Sequence, residues 1–405
     1  MTSLPGVCAT TQRWPAKSTV LGVCLLAFFS TMVARLVVSP VVPSVRMEFG
    51  VSDGEVGLAL TGMWVAYALA HYPSGRLADR LGERRVVLGA VGLTAIGGLG
   101  LVFASRFIVF GLMAVVLGAA AGLYYPAGAS LLSKRFENVG QALGFHIAGA
   151  SLAGLVTPVA VSQLAIWMGW RAALLLAPAV AVPVWLLFAW QIPGQSYDRP
   201  EKSTMRPRPD GGVPSDGILG TLRRPIMAFT VVLAAIQSFV FSATLSFLPS
   251  FLQSYHGSGT LEAGLLFSTF FIVLGLAQPS AGRLSDAVGR AETAALAFAI
   301  SAAGFTTLVF ASGLATVTVG VVFAGMGLSA IVALESQFMD AIDNGERGTG
   351  FGIVRMSYVL LGAGGSAVTG ALADRAGWAV AIGLFVVLLG GAALAAAASR
   401  AGRST

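Results

Sequence analysis

Charge is what this 405-residue sequence has least of: Asp, Glu, Lys and Arg together make up 11%, where a soluble domain carries about 25%. A water-facing surface needs those groups, so a water-soluble enzyme is excluded. Cysteine is scarce as well, and Cys8 and Cys24 offer neither a disulfide framework nor the spacing of a metal site. The sequence holds no His/Cys/carboxylate cluster and no Walker-type phosphate loop. No cofactor, resident metal, ATP chemistry or enzymatic activity is therefore expected. The net charge of +7 does not point to nucleic acid either, because the basic residues stand in short clusters between apolar runs instead of on one face.

What is abundant is apolar: 56% of residues are hydrophobic and the mean hydropathy is +0.81. At roughly 20 apolar residues per crossing, the chain accommodates a dozen helical spans. Apolar runs place them near 19–43, 56–74, 86–105, 107–132, 139–163, 170–190, 226–252, 262–281, 291–312, 314–338, 349–371 and 377–398. The first run is long and lacks an A-x-A-like site, so it is expected to be a span and not a cleaved signal. The Pro-rich stretch 191–225 reads as a linker. The expected organisation is a tail over 1–18, six spans over 19–190, the linker, six spans over 226–398 and a tail over 399–405. Of the Lys and Arg residues, 19 fall on the linker side and 4 opposite. That asymmetry predicts cytoplasmic termini and linker in a multi-pass plasma-membrane protein.

The halves echo one another. Gly75-Arg76-Leu77-Ala78-Asp79-Arg80-Leu81-Gly82 recurs as Gly282-Arg283-Leu284-Ser285-Asp286-Ala287-Val288-Gly289 at an offset of 207, and Gly169-Trp170 recurs as Gly377-Trp378 at 208. Two landmarks at nearly one offset argue for an internal repeat of six spans plus six. The first copy, continuing through Glu83, Arg84 and Arg85, resembles the loop between spans two and three of the major facilitator superfamily. The resemblance implies an all-α membrane fold of twelve helices in two pseudo-symmetric bundles. It further implies a monomeric secondary transporter that alternates access to a midplane site in the lipid bilayer. Gly75 and Gly82 are expected to permit a tight turn and close helix approach. Asp79, with its repeat Asp286, is expected to act as a gating latch on a helix N-terminus of the other half, near Gly348 to Gly352. Arg80, Arg84 and Arg85 are left for lipid headgroups or for carboxylates such as Asp340 and Asp343. Exporters of this superfamily usually have an Arg where Ala114 stands and a Gly-Pro where Thr157-Pro158 stands, and spans one and four lack a carboxylate. These departures count against a proton-driven drug exporter.

Charges inside hydrocarbon cost about 2.5 to 3.5 kcal/mol each on insertion scales. Only Arg35, Glu335 and Arg355 qualify, joined by His71 and His146. Arg35 is too deep to snorkel inward with ease, and superfamily members that carry anions often have such an Arg in span one; it is a candidate substrate contact, the alternative being outward snorkelling. Glu335 is read as the partner of a gate ion pair with Arg355, with proton coupling as the alternative. His71 is read as packing at a shared helix end, with a proton relay as the alternative. Tyr124, Tyr125, Gln237 and Ser242 are candidate substrate contacts, with helix packing as the other reading. A small organic or inorganic anion is the favoured substrate, coupled to a proton or exchanged for another anion. An exporter of hydrophobic or drug-like compounds is the alternative within the fold, and a transport-inactive sensor or scaffold the alternative outside it.

Overall fold

Backbone N–H and C=O groups in hydrocarbon have no water to bind, so runs this apolar must close their hydrogen bonds within helices. The computed structural model describes residues 16–136, 138–193, 225–341 and 347–401, and its regular structure among them is entirely helical. The first half holds α1 (Lys17–Leu36), α2 (Val42–Phe49), α3 (Asp53–Leu81), α4 (Glu83–Val102), α5 (Phe107–Ser133), α6 (Val139–Met168), α7 (Trp170–Leu174) and α8 (Leu176–Gln191). The second holds α9 (Pro225–His256), α10 (Thr260–Val288), α11 (Arg290–Phe310), α12 (Leu314–Gly327), α13 (Ile331–Ala341), α14 (Arg347–Gly362), α15 (Gly365–Ala376) and α16 (Trp378–Ala401). The expected linker falls mostly on 194–224 and, like Asp343, lies outside the described residues.

Eleven segments among the described residues are long and apolar enough to cross a membrane. The twelfth, α3, has the length at 29 residues, but Thr61, Tyr67, His71, Tyr72 and Pro73 dilute its hydropathy. Several spans are broken. The span Lys17–Phe49 changes from α1 to a 3-10 turn at Ser39–Val41, where Pro40 has no N–H to give the Leu36 carbonyl. A second 3-10 turn, Leu328–Ala330, separates α12 from α13.

The repeat is visible in the backbone. Gly82 and Gly289 turn one helix into the next at φ +84° and +118°, and Gly169 and Gly377 do so at +85° and +84°. All four occupy the left-handed region that glycine enters without steric cost, at the offsets of 207 and 208. Gly75 corrects the expectation made for it: it sits inside α3, and a Cβ there would touch nothing within 4 Å.

Two further expectations for the loops change. Arg84 turns back onto its own half, its Nε and Nη2 donating to the carbonyls of Ile192 (2.5 Å) and Ala189 (2.8 Å). A cation there satisfies orphan carbonyls at the C-terminus of α8. Asp286 pairs with Arg290 one turn along, and Arg290 also holds Asp340 at 3.0 Å. The second copy of the loop is thus a local ion-pair network, not a latch on the other half. Asp79 is exposed near the end of α3.

The halves close against each other on the face opposite the chain termini. Gly57 and Gly370 let α3 and α15 touch backbone to backbone: a Cβ on Gly57 would stand 2.4 Å from the Ser366 carbonyl oxygen, and one on Gly370 2.2 Å from that of Asp53. Thr61 Oγ1 accepts from the Ala367 N–H at 3.0 Å, and Ser39 Oγ donates to the Ser246 carbonyl at 3.1 Å.

Candidate functional site

The site starts from the packing of α5 on α3. Cβ atoms on Gly118 and Gly122 would meet the carbonyl oxygens of Met63 and Tyr67 at 2.0 and 2.3 Å, so both positions must be bare for the helices to approach this closely. That approach fixes the face of α3 bearing Trp64, Tyr67 and His71, whose spacing of three and four residues aligns them. Arg35, in the last turn of α1, lies against that face with its guanidinium carbon 4.5 Å from the Tyr67 ring centre and 5.4 Å from that of Trp64. The negative ring faces offset part of the cost of a cation at this depth. No carboxylate pairs with it among the described residues, and its Nε is buried without a partner.

Across the interface, Arg355 on α14 lies over the ring of Tyr125 at 4.9 Å. Its Nη1 is 3.4 Å from Glu335 Oε1 on α13, and the Tyr358 hydroxyl donates to the same oxygen at 2.7 Å. The Nε of Arg355 is also buried and unpartnered. Arg35 and Arg355 lie within electrostatic range of one another. His71 stands between: its Nδ1 donates to the Tyr67 carbonyl at 2.7 Å, its ring is 6.2 Å from that of Tyr125, and its Nε2 is buried with no partner. Two guanidiniums from opposite halves, one of them beside a carboxylate, and a fringe of phenols thus lie near one another. On the side of Arg35 facing away from the termini lies a cavity of about 10 Å³, lined by Met32, Leu36, Leu60 and Met63 among others. That is room for about one water molecule, and the backbone contacts of α3 with α15 at Gly57 and Gly370 close the halves on this side. Glu335 and Arg355 keep 27% and 24% of their side chains exposed, so the approach is from the face bearing the termini.

The remaining sequence candidates fall elsewhere. Tyr124 is fully buried; its hydroxyl donates to the Cys24 carbonyl at 2.6 Å and meets His146 Nε2 at 2.9 Å, which ties α1, α5 and α6 together behind the site. Gln237 donates to the Leu328 carbonyl at 2.5 Å and Ser242 to those of Phe239 and Gly362 at 3.0 and 3.1 Å. Both fasten α9 to its neighbours, as small polar residues do between membrane helices. Trp64, Tyr67 and Tyr358 belong to the site and were not foreseen, although the 64, 67, 71 spacing carried a signal.

The sealed face has a polar lock. Asp374, near the end of α15, accepts the N–H groups of Asp53 and Gly54 at 3.0 and 2.7 Å, capping the first turn of α3 from the other half. Asp53 in turn pairs with Arg46 at 2.7 Å. A 29-residue helix rises about 43 Å, more than the ~30 Å of hydrocarbon, so the first residue of α3 stands outside it. Burial pushes the Asp53 carboxyl up to about 6; Arg46 pulls it down and Asp374 pushes it up again. A carboxyl that binds its proton more tightly in the closed lock than in water favours closure as pH falls through about 6, and weakens it above. Spin labels on the exposed positions Leu58 and Val368 should report a larger closed fraction at pH 5 than at pH 7.5. Asp53→Asn should flatten that dependence, and an unchanged pH response in this variant would remove Asp53 as its source.

Comparison with known proteins agrees with this architecture. The Major Facilitator Superfamily model matches residues 23–267 and 230–403. A probable sulfoacetate transporter, SauU, of Cupriavidus necator is 28% identical over 184 residues, 44% of this chain and 42% of that protein, so the match spans less than half of the relative's length. A multidrug resistance protein B homolog of Mycobacterium tuberculosis is 25% identical over 76% of this chain and 67% of its own. Among solved structures, a bacterial homolog of the human lysosomal transporter Spinster, in an inward-facing and occupied conformation, superposes with a TM-score of 0.78 over 96% of this chain and 98% of that one, at 19% identity. With a family model covering both halves and a matching twelve-helix fold, the chain belongs to the Major Facilitator Superfamily as a multi-pass membrane protein.

Proposed function

We propose that this transporter carries a small organic anion, held between Arg35 and Arg355 and released to either face in turn. One observation carries the reading: two largely enclosed guanidiniums from opposite halves lie within electrostatic range of one another, only one of them has a carboxylate beside it, and each keeps a buried Nε with no partner. A surplus cation in this setting is costly, and an anion with two or more oxygens complements it through charge-assisted hydrogen bonds. The placement also suits alternation, because a ligand touching both arginines draws the halves together around it. The probable sulfoacetate transporter supports the anion class by analogy. A carrier of neutral apolar compounds would gain nothing from two cations at the centre of its path.

The test is thermal unfolding of the purified protein against a panel of small carboxylates and sulfonates, sulfoacetate included, with neutral and cationic compounds as controls. Ligand at a hundred times its dissociation constant should add about 2.7 kcal/mol of stability. A panel in which no anion outperforms the controls would end the anion reading.

A further inference from the structure

We propose that Glu335 takes up one proton when the bound substrate is a dianion and none when it is a monoanion, so that the number of protons carried follows the charge of the cargo. The proposal rests on the anion reading above and deepens it. Its basis is the charge inventory of the site. Arg35 and Arg355 supply two positive charges and Glu335 one negative charge, leaving one positive charge in the empty site. A monoanion neutralises it. A dianion overshoots to one negative charge, and a net charge drawn out of bulk water between the two halves is costly. One proton restores neutrality.

The geometry nominates Glu335 as the acceptor. Its contact with Arg355 is a single long arm of 3.4 Å, where charge-assisted pairs run at about 2.7 to 2.9 Å. The guanidinium therefore retains capacity for a second acceptor, and an anion docking there competes with Glu335 for the same cation. The displaced carboxylate keeps the Tyr358 hydroxyl, which donates at 2.7 Å and can remain on one oxygen while the other gains the proton. The step is a plain protonation from the aqueous face to which the site is open, one O–H bond forming on Glu335 and nothing else consumed.

Other groups around Glu335 fit less well. From α14 it faces Arg355 and Tyr358, and Tyr125 on α5 lies within electrostatic range of it; Tyr67 and His71 on α3 and Arg35 on α1 come within range of Arg355. Asp286 and Arg290, at the junction of α10 and α11, engage each other and Asp340, more than one turn further along α13. On α10, Arg283 is exposed beyond the last turn facing the site, and Glu292 stands in the first turn of α11. The titratable residues of α9, Tyr255 and His256, lie at its far end. His71 is the one rival base, and a third cation beside two guanidiniums would be repelled by both.

The experiment measures protons bound per anion bound, in weakly buffered detergent solution near pH 7.5. It uses two probes of one size: sulfoacetate as the dianion and 2-hydroxyethanesulfonate as the monoanion. The wild type should take up close to one proton per sulfoacetate and close to none per hydroxyethanesulfonate. In Glu335→Gln, sulfoacetate should still bind, with no proton uptake and with an affinity flat in pH. In the wild type that affinity should fall up to tenfold per pH unit on the alkaline side. Glu335→Asp, which keeps a titratable group, should retain the uptake and guards against a folding defect in the Gln variant. His71→Gln should leave the count at one. Equal uptake for both probes, uptake that persists in Glu335→Gln, or uptake lost in His71→Gln would each overturn the proposal while leaving the anion reading standing. If neither probe, nor any other anion, binds the wild type, the anion reading itself has failed.

Discussion

Replacing Arg35 by Gln should abolish anion-dependent stabilisation and reduce anion transport to background. The guanidinium has no fixed carboxylate among the described residues; it rests on the rings of Tyr67 and Trp64. Its removal therefore strands no partner charge, and the protein should fold at a normal level. Folding and binding effects thus separate cleanly, which is rare for a charge at this depth. Arg35→Lys keeps the charge but loses the planar fork and its stacking, and should weaken binding by about 1 to 2 kcal/mol, roughly 5- to 30-fold, as one charge-assisted bond is lost or lengthened. The graded order Arg, Lys, Gln is the diagnostic outcome. A flat response across the three, measured by thermal unfolding with sulfoacetate and by uptake into vesicles, would exclude Arg35 as a substrate contact.

A second large effect is expected at Gly57, far from any ligand. A Cβ there stands 2.4 Å from the Ser366 carbonyl oxygen, 3.0 Å from its carbon and 3.1 Å from Ala367 Cα. All three are backbone atoms of α15 and cannot rotate away. Gly57→Val should therefore prevent closure of the face opposite the termini without unfolding either half, because the clash is between halves. Labels at Leu58 and Val368 should separate, and transport should fall more than tenfold. Anion binding from that face should survive within a few-fold. Normal transport by Gly57→Val would mean that α3 and α15 need not touch during the cycle.

Much of this was legible in the sequence, for a physical reason that also sets the limit. Apolar runs, the repeated loop and charges isolated in hydrocarbon are one-dimensional signals, so the twelve spans, Arg35 and the Glu335 to Arg355 pair could be read directly. What depends on helix phase could not. Tyr124 and Tyr125 are adjacent, yet about 100° apart on α5; one closes a buried network with His146 and the other lies beneath Arg355. Trp64 and Tyr67 look like any aromatic core residues until Arg35 is laid across them. The lock of Arg46, Asp53 and Asp374 escaped notice because charges at span ends are ordinary. Asp286, expected across the interface, and Arg84, expected at lipid headgroups or carboxylates such as Asp340, find their partners within their own half, at Arg290 and the C-terminus of α8. Matching motifs diverge once one copy has an Arg four residues beyond its Asp.

The composition of α3 has a consequence for how the protein is made. The other spans among the described residues are long and apolar enough to cross a membrane; α3, which carries the aromatic wall of the site and the lock at its head, is less apolar than they are. Polar and titratable groups near the centre of an isolated helix weigh against its insertion. A helix of this kind becomes stable in lipid once neighbours cover its polar face, and the glycine track of α5 at Gly118 and Gly122 is shaped to do so. Stable insertion of α3 is therefore expected to wait until α5 has emerged two spans later. The residues that make the central site polar thus also set the order in which the first half can assemble.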